Sequence, residues 1–348
     1  MGAITNALTN VIEWIYALIH NYGWSIVIFT ILVRIILMPL DISSRKGMRK
    51  MSKIQPQLNA IQKKYANDKA KLQQKQSELM RKEGYNPLSG CLPLLIQMPI
   101  LFAMFGAMRN IANENIVSQV FTFLQGNTPS YEGWLWVKNI WMADSLFASV
   151  APNLNILQTI GNDVWQSVWS ALSTVDQQAI IQSLAQHVPD FAGELSFATA
   201  DAFKSVLPQI QAALAQMPAY IQQVTPMKGF ENINLILFSF KVFENFNGLT
   251  LLPIMSGLSQ LLMTKVNPQA TGQTAQTAQG GQPGMGNFMK YFFPIFSVYI
   301  TLTSNAGFAL YWVVSNLIAT AMSYFINLYF DRKDKAEGAV ALSEGTVK

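Results

Sequence analysis

The stretch Tyr22–Leu40, YGWSIVIFTILVRIILMPL, decides the class of this chain, and its nineteen residues contain one charge, Arg34. At about 1.5 Å of rise per residue, a helix of this length spans roughly 28 Å, close to the hydrocarbon core of a bilayer. A guanidinium inside such a helix costs about 2.5–3.5 kcal/mol on insertion scales, so it reads by default as functional and turned towards protein or water. A second reading stays open. Leu40 and Asp41 mark the membrane exit, leaving Arg34 only about 10 Å deep, where a long side chain can snorkel to the headgroups.

Composition agrees with a membrane protein: of 348 residues, 51% are hydrophobic and 12% charged, half the charge share of a soluble domain. One cysteine, Cys91, excludes an internal disulfide, and the two histidines, His20 and His187, leave no metal-ligand cluster. The first twenty residues lack the basic start and small-residue cleavage site of a signal peptide and the arginines of a transit peptide, so the chain is expected to be used uncut.

Outward from Arg34, residues 1–21 place Ile4, Leu8, Val11, Ile12, Ile15 and Leu18 at helical spacing. This fits an extracytoplasmic amphipathic helix on the membrane surface, and equally an ordinary packing helix. Residues 22–42 form the first span. Residues 43–86 hold twelve lysines and arginines against three acids. Met51, Ile54, Leu58, Ile61 and Tyr65 recur at three and four, and Leu72 and Leu79 continue the seam after a break at Ala66–Asp68, which predicts a basic helical hairpin. Pro56 is expected to kink its first helix or start a new turn. Cations beside a span are retained inside, so the hairpin is cytoplasmic and the N-terminus outside.

The second span, 87–108, is uncharged and contains Pro93, Gln97 and Pro99. Membrane helices tolerate such prolines when neighbours satisfy the freed carbonyls. Residues 109–244 read as an extracytoplasmic helical insertion, and Arg109 to Gly248 carry ten acids and five bases. Ile156, Ile160, Val164, Val168 and Leu172 repeat every four residues, a second helical pattern runs from Phe203 to Val224, and Trp134, Trp136 and Trp141 suggest segments at the interface. Residues 245–265 form the third span and 266–289 a flexible cytoplasmic loop rich in Gly, Gln and Thr. Tyr291 to Phe330 holds forty residues without a charge, twice one crossing. A turn at Ser304–Gly307 divides it into spans at 290–304 and 307–330, followed by a cytoplasmic tail, 331–348. The expected architecture is an all-α polytopic membrane protein with five transmembrane helices.

In order along the chain stand an arginine-bearing first span, a hairpin ending in KEGYNPLSGCLPLLIQMPILFAMF, a third span LLPIMSGLSQLL, and MKYFFPIFSVYI with GFALYWVVSNL. These resemble the YidC family of membrane-protein insertases over residues 22–110 and 245–330. The resemblance implies a hydrated groove open to cytoplasm and lipid, with Arg34 as its charge, lined by Gln260 and Trp312, with Gln97, Tyr311 and Asn316 as weaker candidates. Interhelical hydrogen bonding is the alternative role for these polar groups, and packing or interfacial anchoring for Trp312. The implied partners are nascent membrane-protein clients, membrane lipids, and the ribosome and Sec translocon, with no direct nucleic-acid readout. No cofactor is implied, and the protein is not read as an enzyme: the sequence holds no phosphate-binding loop and no Ser, His and Asp arrangement.

The sequence departs from the family in three ways: it has no lipid-modified signal cysteine, no large domain before the arginine span, and an unusually long insertion. The five-span core implies a bacterial plasma membrane of Gram-positive type, and the short, nearly charge-balanced tail argues against strong ribosome binding through it. Competing readings are a small-anion transporter using Arg34 and an assembly scaffold. The first lacks an internal repeat and leaves the basic hairpin unexplained.

Overall fold

The computed structural model describes residues 2–84, 88–191, 193–235, 238–266 and 285–345, with the backbone alone for 48, 88–97, 235, 238, 285–289 and 337–345. Its elements are α1 (Gly2–Ile19), α2 (Tyr22–Lys64), α3 (Lys69–Lys82), α4 (Leu88–Leu124), α5 (Leu154–Leu157), α6 (Asn162–Ala171), α7 (Thr174–His187), α8 (Ala200–Leu214), α9 (Pro218–Val224), β1 (Ile233–Leu235), β2 (Phe238–Phe240), α10 (Leu251–Val266), α11 (Met285–Thr303) and α12 (Ala306–Gly345). They fall into two compact units. One comprises Met1–Val27, Ala103–Ile254 and Ile300–Leu310, the other Ile28–Phe102, Met255–Tyr299 and Tyr311–Lys348.

Helices dominate, with one departure from an all-α chain. Ile233–Leu235 and Phe238–Phe240 form an antiparallel pair in which Ile233 faces Phe240. Apolar residues at both ends of each triplet alternate with Asn234 and Ser239, a period of two that suits a pleated strand. Among the described residues, two helices, Tyr22–Lys64 and Ala306–Ala336, are long and apolar enough to cross a membrane, and Leu251–Val266 is a shorter apolar one. Among the described residues there are thus two clear candidate spans and a short third, where the sequence suggests five. Of the expected loop 266–289, Val266 is the last residue of α10 and residues 285–289 open α11 as helix, while 267–284 and the side chains of Cys91 and Gln97 lie outside the described residues.

In the first unit, α1 buries Ile12 and Ile15 and leaves Trp14 and Leu18 exposed. His20, at φ 54°, ends it. Asn21 then caps α2: its Oδ1 accepts the Trp24 amide at 3.1 Å while its Nδ2 donates to the Gly133 carbonyl at 3.1 Å. The insertion supplies the largest core, where Trp165, Phe121 and Phe197 sit at 0–1% exposure with Ile160, Ile180, Leu184 and Ile210 around them. The every-four repeat from Ile156 to Leu172 is divided among α5, a turn and α6, yet all five residues belong to or pack against this core. Trp141 is buried here, and Trp136 Nε1 donates to Asp144 at 3.1 Å, so both indoles are packing groups of this unit.

In the second unit, α2 continues as helix through Pro39 and Pro56 to Lys64. Asp68 caps α3 by accepting the Lys71 amide at 3.0 Å. Met51, Ile54, Leu58 and Leu79 bury together with Ile61 and Met80 against them, so α2 and α3 share one apolar seam. On α10, a Cβ at Gly257 would stand 2.5 Å from Val298 Cγ2 of α11. The missing side chain is what lets the two helices approach, as small residues do at membrane helix contacts.

Candidate functional site

Arg34 lies on α2 at 7% exposure, in the second unit. Its Nε and Nη2 donate to Ser315 Oγ of α12 at 3.0 and 2.5 Å. The guanidinium is therefore enclosed by protein. The next residue of α12, Asn316, is 8% exposed and donates through Nδ2 to Ser259 Oγ at 3.3 Å and Gln260 Oε1 at 3.1 Å, both on α10. Three helices thus contribute one polar layer: a cation, two hydroxyls and two amides. Charge-assisted bonds from a guanidinium are the strong members of such a set, and enclosure raises their weight by lowering the local dielectric.

Two hydroxyls here are tied to their own helices. Ser259 Oγ donates to the Ser256 carbonyl at 2.9 Å and Thr320 Oγ1 to that of Asn316 at 2.7 Å. This back-bonding satisfies a Ser or Thr inside an apolar helix. One layer further along, Arg45 is 8% exposed and its Nη2 donates to Ser323 Oγ of α12. Beyond it, Arg49 pairs with Asp331 and, at 2.9 Å, with Asp334, and Lys53 reaches Asp334 at 3.3 Å. Residue numbers rise together on α2 and α12, so the two helices run parallel along this ladder.

Of the residues expected to line a groove, the structure brings Asn316 and Gln260 into contact and places Arg34 against Ser315, the neighbour of Asn316. Tyr311 is buried at 3% and Trp312 is half-buried on the same helix. The side chain of Gln97 lies outside the described residues. Four further polar groups were not expected: Ser259 and Ser315 in this layer, and Arg45 and Ser323 in the next. Ser315 and Ser323 stand eight residues apart on α12, close to a common stripe, and Arg45 follows Arg34 by eleven, which returns α2 to nearly the same face. The second spacing carries meaning only because α2 runs unbroken past Asp41 to Lys64. Among the described residues, no group of His, Cys, Asp or Glu is placed to hold a metal ion.

The model of the 60Kd inner membrane protein family matches residues 14–200 and 203–334. The chain belongs to the 60Kd inner membrane protein family. Relatives described as membrane protein insertase YidC include one from Fusobacterium nucleatum, 43% identical over 137 residues, which are 39% of this chain and 58% of that protein. One from Chlorobaculum parvum is 39% identical over 136 residues, 39% of this chain and 21% of that protein. A third, from Leptospira interrogans, is 34% identical over 193 residues, 51% of this chain and 28% of that protein. The chain therefore spans between about a fifth and three fifths of the length of these relatives. Family membership and the long apolar helices agree on a bacterial membrane protein.

Proposed function

We propose that this protein is a membrane-protein insertase and chaperone that lowers the cost of moving a short hydrophilic segment of a client across the membrane. The observation that carries the reading is the enclosed Arg34 guanidinium, set in a polar layer of Ser315, Asn316, Ser259 and Gln260 within apolar stretches of three helices. A charge in hydrocarbon costs a few kcal/mol, so membrane proteins retain one where it acts. In this reading the five spans cross with the N-terminus outside and the C-terminus inside. The basic hairpin of α2 and α3 meets the client, the ribosome or anionic headgroups in the cytoplasm, and the insertion lies outside.

The mechanism needs no covalent step. A hydrated groove at the level of Arg34 replaces part of the solvation that a polar client segment loses on leaving water, so the effective barrier is thinner. Arg34 supplies an electrostatic partner for an acidic group in a setting where attraction is stronger than in water. Gln260, Asn316 and Trp312, with Gln97 and Tyr311, offer hydrogen-bond partners to the passing backbone. The apolar span of the client then leaves into lipid between the third and fifth spans, where burial of its side chains drives release.

The test is insertion of a single-span client with an acidic N-terminal tail into vesicles containing the wild type, Arg34→Lys or Arg34→Ala. Wild type and Arg34→Lys are expected to translocate the tail and Arg34→Ala to lose roughly tenfold or more, the value of one charge-assisted hydrogen bond. Insertion no better than in protein-free vesicles for every variant would overturn the reading.

A further inference from the structure

Arg45 is a second enclosed cation on the Arg34 stripe. Eleven residues at about 100° each leave the two roughly 20° apart around α2 and about 16 Å apart along it. Arg45 Nη2 is engaged by Ser323 Oγ, whose own proton goes to the Ala319 carbonyl, but Nε and Nη1 are buried without a hydrogen-bond partner. Asp41, one turn earlier on α2, is the acid whose charge acts on Arg45, yet the two make no ion pair within 4 Å. Arg49, one turn later, is already committed to Asp331 and Asp334 on α12. Two idle guanidinium nitrogens in a buried place are costly, and a bound partner that completes them would offset that cost.

We propose that Arg45 is a second cationic station for the same client segment, binding a carboxylate while Arg34 holds another. This rests on the insertase reading and adds a specificity to it. An extended chain advances about 3.3 Å per residue, so two acids about five residues apart span the two guanidiniums, whereas adjacent acids cannot. The site then favours acidic tails by spacing as well as by charge. Ser323 acts as a positioning residue, holding one edge of the guanidinium so that Nε and Nη1 stay available.

The experiment inserts single-span clients into vesicles of zwitterionic lipid, with tails bearing one acid, two adjacent acids or two acids five residues apart. Wild type, Arg45→Gln and Arg45→Lys are compared. Wild type should insert the five-spaced tail better than the adjacent one. Arg45→Gln should lose roughly tenfold on the five-spaced tail, bringing it to the single-acid level, and Arg45→Lys should recover part of that. The single-acid tail, which needs Arg34 alone, reports whether Arg45→Gln is folded. An equal loss on all three tails, or none on any, overturns the proposal and makes Arg45 structural. An Arg45 effect that appears only when anionic lipid is added, whatever the tail, also overturns it and assigns the donors to headgroups. If the single-acid tail depends on Arg34 but spacing has no effect, only the second station falls. If wild type inserts no tail above protein-free vesicles, the insertase reading falls with it.

Discussion

Charged groups in this protein are set by what surrounds each one, and Glu114 is the clearest case outside the apolar spans. Loss of hydration holds its pKa above the ordinary glutamate value of 4.5, and the nearby Glu13 carboxylate adds to the rise. Between that ordinary value and the raised one, the folded state binds more protons than the unfolded state, so stability falls as pH rises through the window. Glu114→Gln removes the loss. The unfolding midpoint of the variant should match wild type near pH 4 and exceed it near pH 7, as followed by circular dichroism in detergent. A gap that shrinks with rising pH would refute the assignment. Arg34 poses another case: enclosure costs the guanidinium its hydration, and its bonds to Ser315 offset part of that. Residue identity pointed to Arg34 but not to its partner, because serine is common in apolar helices and Ser315 lies 281 residues away.

At the scale of elements, the start of α10 shows why a boundary read from hydropathy moves. The uncharged run opens at Asn245, but the helix begins at Leu251. The residues between are drawn into a buried knot: Asn247 Nδ2 donates to the carbonyls of Asn139 and Ala143 at 2.8 and 2.9 Å, and its Oδ1 accepts the Asn139 amide at 2.7 Å. Thr250 follows at φ 63°, a strained value for a β-branched residue. Asp144, fully buried, holds it there by accepting the amides of Thr250 at 3.1 Å and Leu252 at 2.7 Å. A carboxylate on a helix N-terminus satisfies orphan amides and suits the positive end of the dipole. Asp144→Ala should cost about 3 kcal/mol, since it strands these donors. The loss would appear as a lower denaturation midpoint and faster amide exchange at residues 250–252. Unchanged exchange there would remove Asp144 as the cap. The seam from Met51 to Leu79 was legible because packing of neighbouring helices repeats with the helical period. A cap supplied from more than a hundred residues away has no such signature.

Over the whole molecule, two compact units each carry an apolar core, and their cores differ in kind. That of the first is built around Trp165, Phe121 and Phe197 in the insertion. That of the second includes the small apolar seam of α2 and α3, and the polar layer of Arg34 and Asn316 belongs to the same unit. Trp165→Ala should destabilise the first unit by about 3–5 kcal/mol. Hydrogen exchange should rise across 116–224 while the amides of α10 around Ser259 and of α12 around Ser315 keep their protection. A uniform rise in both would contradict the division into units.

Sequence by itself determined the membrane character, the paired seam of α2 and α3 and the family. Each of these is written in local composition, in a period of 3.6 or in a run of residues in order, and so is readable one segment at a time. Only the tertiary structure decided that Arg34 meets Ser315, that Asn316 joins Ser259 to Gln260, and that Arg45 is enclosed with donors to spare. It also decided that Asp144 caps a helix a hundred residues on. These contacts join residues distant along the chain, and a polar side chain shows no sign in the sequence of which partner will bury it. For Arg45 the cause is narrower. Its place depends on α2 continuing unbroken past Leu40, where hydrophobicity falls but the helix does not end.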